Sequence, residues 1–308
     1  MAIKPKEIAN KPERLTGGHR LCAGCGAPII VRQVLSVCPG PAVVTSATGC
    51  LEVSTTIYPY TAWKDSFIHS AFENAAATIS GVETAYRSLK KQGKIDKDVY
   101  FIAFGGDGGT YDIGLQALSG AAERGHDFVY VCYDNGAYMN TGFQRSSATP
   151  CGAWTTTSPV GKEAAGKQQD RKDLAAIMAA HDIPYVAQAS PHNFKDLMTK
   201  AEKAFTTPGP AYLGIISPCP RGWRTASSEA IALAKEAVTS CYWPIYEVEN
   251  GKYKINYKPR KKTSVIDWMK KQGRFAHLFK GDHQETLDHI QAYIDRKWEE
   301  LLRKEECL

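Results

Sequence analysis

The 308-residue sequence has no long apolar run. Its longest charge-free stretch, Gln33–Leu51, is interrupted by Pro39, Gly40, Pro41, Ser46 and Thr48, so no membrane-spanning helix is expected. The opening Met1-Ala-Ile-Lys-Pro-Lys-Glu7 lacks the apolar core of a secretory signal, and a cytoplasmic location is expected. An excess of one charge is also missing. Lys and Arg number 38 against 32 Asp and Glu, a formal charge of +6 spread along the chain, so no nucleic-acid partner is expected. The densest basic cluster, Lys258-Pro-Arg-Lys-Lys262, reads as a solvated loop or as a docking point for an acidic protein or cofactor. A hydrophobic share of 43% and a charged share of 23% are those of a globular chain and exclude disorder. There are no internal repeats.

Nine cysteines stand at 22, 25, 38, 50, 132, 151, 219, 241 and 307. The odd number without a secretory signal argues against a disulfide framework and for metal or redox chemistry. Cys22-Ala-Gly-Cys25 is half of a zinc or iron–sulfur site. No second C-x₂-C follows, so the remaining ligands must come from single cysteines. Cys50 and Cys219 are the candidates, each expected at the end of a strand. Cys38, Cys132, Cys151, Cys241 and Cys307 are read as ordinary side chains, Cys132 as core.

Strand and helix patterns alternate along most of the chain. Strands are expected at Ala42–Thr45, Val99–Phe104, Phe128–Tyr133, Tyr185–Gln188 and Ala211–Ile216. Helices are expected at Pro28–Val37, Ala71–Lys91, Ile113–Arg124, Asp173–His181, Asn193–Phe205 and Ser227–Thr239. This order predicts an α/β fold, a doubly wound parallel sheet. Asp134–Gly161 is a long aperiodic loop of the kind that carries function. Asn250-Gly251, between Tyr246–Val248 and Tyr253–Tyr257, signals a hairpin, and Leu287, Ile290, Ile294, Trp298 and Leu301 mark one face of a terminal helix. The expected division is an arm over 1–20, a cofactor domain over 21–240 and a hairpin-plus-helix extension over 241–308.

The glycine-rich turn Gly105-Gly-Asp-Gly-Gly109 lies between a buried strand and a helix, where parallel sheets bind ligands. It is neither a G-x-G-x-x-G fingerprint nor a P-loop. Its glycines let backbone N–H groups approach phosphate oxygens. Asp107 places a carboxylate inside that phosphate cradle, which makes sense with a cation between the two, and Mg²⁺ suits it. The next strand ends in Asp134-Asn-Gly-Ala137, and Asn135 offers an amide oxygen for the same ion.

The combination is specific. Cys22-Ala-Gly-Cys-Gly26, Ala47-Thr-Gly-Cys-Leu-Glu-Val53, Tyr58-Pro-Tyr-Thr-Ala-Trp63, Ala71-Phe-Glu-Asn-Ala75, Gly105–Gly114, Tyr138-Met-Asn-Thr-Gly142 and Gln144–Pro150 together resemble the β subunit of 2-oxoacid:ferredoxin oxidoreductases, nearest to the pyruvate enzymes. The resemblance runs from about residue 15 to the end. It implies a thiamine-diphosphate-binding fold and a [4Fe–4S] cluster on Cys22, Cys25, Cys50 and Cys219. It further implies Mg²⁺ held by Asp107, Asn135 and the carbonyl of Ala137, and a cofactor lined by Thr48, Gly49, Gly106, Gly108 and Asn140. Asn140 would contact the substrate-derived oxygen as the catalytic polar donor.

The implied activity is reversible oxidative decarboxylation of pyruvate with coenzyme A as co-substrate, giving acetyl-CoA, CO₂ and reduced ferredoxin. The implied partners are an α-type subunit completing the thiamine site, a ferredoxin-like δ subunit, a γ subunit and ferredoxin itself. Two positions depart from the family pattern, Gly136 where Glu is usual and Ser66 where Pro is usual, which leaves oxalate or another 2-oxoacid open as substrate. His69 is open between a site role and a structural one. Two other readings use the same residues: a non-redox thiamine decarboxylase subunit with structural zinc, and a basic zinc-bearing module without catalysis.

Overall fold

The computed structural model describes residues 5–307. The strands are β1 (Ala42–Ala47), β2 (Ser66–Ser70), β3 (Tyr100–Gly106), β4 (Val129–Asp134), β5 (Tyr185–Ala189), β6 (Ala211–Ile216), β7 (Tyr246–Glu249) and β8 (Lys252–Ile255). They form one sheet in the order β2-β1-β3-β4-β6-β5-β7-β8. β1 to β6 pair in parallel. β7 runs antiparallel to β5, and β8 antiparallel to β7.

The inner strands are apolar along their length because both faces are covered. Ile102, Phe104, Val131 and Leu213 point to the face packed by the helices Gly26–Ser36 and Phe194–Thr206. Phe101, Ala103, Tyr130 and Tyr212 point to the other face, under Ala75–Lys91, Leu115–Glu123 and Leu174–Ala179. A third apolar cluster joins Trp223, Leu233, Trp243, Trp268, Phe275 and Ile290. It seats the terminal helix Gln284–Cys307 against the rest.

The expected strands and the hairpin are present, with Asn250 and Gly251 both at positive φ, 48° and 79°, as a two-residue turn between twisted strands requires. Several boundaries differ. The helix expected from Ala71 begins at Ala75, after a turn closed by the Asn74 amide on the Ala71 carbonyl. The helix expected from Ile113 begins at Leu115, after a wide π turn over Gly108–Asp112. The irregular segment after β4 runs on to Asp173, whose side chain caps the next helix through the Ala176 amide. The expectation that Cys50 ends a strand is corrected. β1 stops at Ala47, where the Thr48 amide turns to the Ser70 carbonyl, and Cys50 opens a short helix, Cys50–Thr55.

Of the expected arm, residues 1–4 lie outside the described residues. Leu15 is fully buried and bridges Trp63. In the basic cluster, Lys258 pairs with Glu305 at 2.6 Å and Lys262 with Asp295, so two of its charges help dock the terminal helix. No helix among the described residues is long and apolar enough to cross a membrane.

Candidate active site

The carboxyl ends of β1, β3, β4 and β6 converge on one edge of the sheet, and the residues singled out from the sequence gather there. An open cleft is lined by Thr48, Gly49 and Cys50 after β1, by Gly106 and Gly108 after β3, and by Asn135, Ala137 and Asn140 after β4. Phe72, Tyr133 and Tyr138 supply aromatic walls.

Gly108 is required by its surroundings: a Cβ there would run into the Tyr138 ring. The Tyr133 side chain stands against Gly49 and Gly106, its hydroxyl 3.1 Å from where a Cβ on Gly49 would sit. That hydroxyl is buried and has no hydrogen-bond partner among the described residues.

Asp107 lies beneath the cleft and is fully buried. Its carboxylate accepts from the Ser146 hydroxyl at 2.5 Å and from the Asn135 amide at 3.2 Å. Burial first, and the nearby Asp134 second, raise its carboxyl well above the usual carboxylate range. Asp134 faces the same burial but has a counter-ion. Arg171 donates to it at 2.7 Å and also to the Tyr111 hydroxyl, while stacking 4.5 Å from the Trp243 ring centre. Asp134 in turn accepts from the Gly136 amide, fixing the Asn135–Ala137 loop. Among the described residues no cation forms an ion pair with Asp107. A carboxylate in that position could hold a cation supplied from outside the chain. The Asn135 side-chain oxygen stands close by, accepting from the Ala137 amide at 3.3 Å.

The four singled-out cysteines form a second group beside the cleft. The Cys25 amide closes the C-x₂-C turn on the Cys22 carbonyl, and the Gly26 amide donates to the Pro218 carbonyl at 2.9 Å. This contact brings the first cysteine pair to Cys219. Gly26 allows the approach, since a Cβ there would sit 2.7 Å from Pro218 Cδ. Cys219 Sγ accepts from the Gly222 amide at 3.3 Å, at the mouth of the short helix Pro220–Trp223. Burial pushes the Cys25 thiol up to about 12 and the Cys219 thiol up to about 11, with the neighbouring cysteines adding to both. Burial also raises Cys50, and a hydrogen bond from the Asn140 side chain opposes that rise. Asn140 and Cys50 therefore join the two groups. Such thiols ionise readily only on a metal.

Four participants escaped the sequence reading. Ser146 reaches Asp107 from 39 residues away, and Arg171 reaches Asp134 from 37; neither contact has a local signal. Tyr133 was read as strand core. Glu52, in the Cys50–Thr55 helix, stands against His69, which bonds Thr48.

Comparison with known proteins agrees with this geometry. Residues 47–215 match the model of the thiamine pyrophosphate enzyme C-terminal TPP-binding domain. The chain is 52% identical to pyruvate synthase subunit PorB of Thermotoga maritima, over 99% of this chain and 98% of the relative. It is 50% identical to PorB of Methanocaldococcus jannaschii over 93% and 96%. Ketoisovalerate oxidoreductase subunit VorB of Pyrococcus abyssi is 42% identical over 94% and 92%. A solved 2-oxoglutarate:ferredoxin oxidoreductase from Magnetococcus marinus, with 2-oxoglutarate, coenzyme A and succinyl-CoA bound, shares the fold at a TM-score of 0.57 and 22% identity, over 76% of this chain and 80% of that one. With its cleft at the carboxyl ends of the strands, the chain belongs to the PorB family of thiamine pyrophosphate enzymes, the β subunits of 2-oxoacid:ferredoxin oxidoreductases.

Proposed function

We propose that this subunit holds thiamine diphosphate, Mg²⁺ and one [4Fe–4S] cluster, and serves in the oxidation of pyruvate with coenzyme A to acetyl-CoA and CO₂. The observation that carries the reading is the meeting of two groups at Asn140 and Cys50. Cys50, one of the four neighbouring thiols, lines the cleft beside Asn140, and the buried Asp107 carboxylate lies beneath it. Asp107, Asn135 and the Ala137 carbonyl would hold Mg²⁺; Thr48, Gly49, Gly106 and Gly108 would line the diphosphate and reactive carbon. Cys22, Cys25, Cys50 and Cys219 would hold the cluster.

Thiamine diphosphate supplies an electron sink for breaking the bond between carbonyl and carboxylate, and the cluster accepts electrons singly. The chain supplies position. Ser146 and the Asn135 amide fix the Asp107 carboxylate. The Asn140 side chain, held at Cys50, is an oriented polar donor for a substrate oxygen. Tyr133, Tyr138 and Phe72 keep water from the walls of the cleft. The Tyr133 hydroxyl is free to bond whatever fills the cleft.

The positions that left the substrate open do not line the cleft. Gly136, at φ 80°, faces Arg274 and Pro150, and Ser66 is exposed on the edge strand β2. Nothing about them favours oxalate over pyruvate. An α-type subunit completing the site, a ferredoxin-like δ subunit, a γ subunit and ferredoxin as acceptor complete the proposal, as does a cytoplasmic location.

The test is anaerobic purification with iron, sulfide and zinc analysis and a visible spectrum. The expected product is brown, with broad absorption near about 400 nm, the signature of thiolate-bound iron–sulfur clusters. A colourless protein carrying zinc would refute the proposal in favour of a non-redox thiamine enzyme.

A further inference from the structure

The net reaction sets a requirement for the cleft. When a 2-oxoacid and a thiol give a thioester and CO₂, the carbon–carboxylate bond and the S–H bond break and a C–S bond forms. Two electrons pass to one-electron acceptors of the ferredoxin class, and one proton is left over. That proton must travel from the cleft to solvent.

One chain of side chains leads from the cleft to solvent. Thr48 lines the cleft. Its Oγ1 lies 2.8 Å from His69 Nε2, with the Ser70 carbonyl as a second neighbour at 3.1 Å. His69 Nδ1 lies 3.5 Å from Glu52 Oε1. Glu52 is itself held by a 2.8 Å hydrogen bond from the Thr56 hydroxyl. The Glu52 side chain is 8% exposed, whereas that of His69 is 52% exposed. One end of the chain faces the cleft and the ring faces solvent. With Nδ1–H turned to the carboxylate, Nε2 presents its lone pair to the threonine hydroxyl.

We propose that Thr48, His69 and Glu52 form the proton outlet of this cleft. The inference rests on the reading of the cleft as a 2-oxoacid oxidoreductase site. The Thr48 hydroxyl passes its proton to His69 Nε2 and takes the proton given up on the cleft side. The Glu52 carboxylate faces the ring's Nδ1, and the half-exposed ring hands the proton to water. His69 acts through Thr48 and is a positioning and relay residue.

The test uses the assembled complex in weakly buffered solution with a pH-indicator dye, following proton release in a single turnover. His69→Gln keeps a side-chain amide that can hydrogen-bond Thr48 but cannot carry a proton. It is expected to bind cofactor and iron as the wild type does and to release the proton at least about tenfold more slowly, within the usual range for a lost acid–base group. Proton release at the wild-type rate by His69→Gln, with iron content unchanged, overturns the relay. Should that variant fail to load cofactor, Glu52→Gln carries the test: slowed release supports the relay, and wild-type release overturns it. A wild-type complex inactive with pyruvate and coenzyme A overturns the functional reading instead, which keeps the two failures distinct.

Discussion

Replacing Asp107 by Asn should move the stability of the empty and the loaded protein in opposite directions. In the empty chain the carboxyl is fully buried and raised well above its usual range, by burial first and Asp134 second. An unpaired buried charge is worth about 3–5 kcal/mol of destabilisation. Asn removes the charge and keeps the shape. Its oxygen can accept from the Asn135 amide, and the Ser146 hydroxyl can rotate from donor to acceptor. Imperfect rebonding gives back about 1–3 kcal/mol, so the central net gain for the empty variant is about 2 kcal/mol. For a chain of this size that is roughly 4–8 °C in Tm. The sign with pH follows from the direction of the shift. A carboxyl raised in the folded state destabilises the fold above its unfolded value of about 3.9 and not below it. The gain from Asp107→Asn should therefore shrink as the pH is lowered toward about 4.

The loaded protein should behave oppositely. At a thousandfold excess over Kd a ligand adds about 4.1 kcal/mol, so thiamine diphosphate with Mg²⁺ should raise the wild-type Tm by roughly 8–16 °C. The variant should gain almost nothing. Thermal unfolding of both proteins, with and without cofactor and Mg²⁺, decides the matter. A variant that gains as much as the wild type, or an empty variant less stable than the empty wild type, refutes the assignment of Asp107 as the cation's carboxylate.

Cys219→Ser should lose iron and lower thermal stability, whereas Cys132→Ser, within β4, should leave the iron content alone; equal iron in the two variants contradicts the ligand assignment. Tyr133→Phe removes a hydroxyl with no partner among the described residues, so the empty protein should be unchanged or more stable by about 1 kcal/mol, while calorimetry should show weaker thiamine diphosphate binding. Gly108→Ala, which drives a methyl into the Tyr138 ring, should weaken cofactor binding without loss of iron; unaltered affinity would show that the ring yields freely. Loaded with cofactors but without partner subunits, the chain should not reduce a viologen dye with pyruvate and coenzyme A. Turnover at roughly 1 s⁻¹ or more would show a site complete within one chain.

The central strands were legible because their burial leaves little choice of residue: Val99–Phe104 and Phe128–Tyr133 are apolar on both faces, and β3 and β4 lie within a residue or two of them. The hairpin was legible because Asn250-Gly251 carries its backbone preference locally. β2 was not, since Ser66-Phe-Ile-His-Ser70 is a half-exposed edge strand whose pairing is set by β1 and by Trp63 stacking on Phe67. The Cys50–Thr55 helix was hidden for a similar reason: six residues with β-branched Val53 and Thr55 have weak helical preference, and their turn depends on Thr48 reaching the Ser70 carbonyl. At the site, Asp107 and the cysteines were legible because glycines and cysteines are conspicuous. Ser146 and Arg171 are commonplace residues that acquire their roles from loops folded back over the sheet.

The contact between the Cys22–Gly26 turn and the Ser217–Cys219 segment also constrains how the protein is made. The Gly26 amide meets a carbonyl synthesised roughly 190 residues later. At translation rates of about 5–20 residues per second, the amino-terminal turn waits on the order of 10–40 s for its counterpart to exist. Through that interval Cys22 and Cys25 stand without Cys219 beside them. A nascent chain can neither complete this corner nor close four sulfurs around anything until β6 has been made and laid against β4. Loading of the proposed cluster would therefore be a late event, and an oxidant or stray metal that captures the first cysteine pair during synthesis would forestall it.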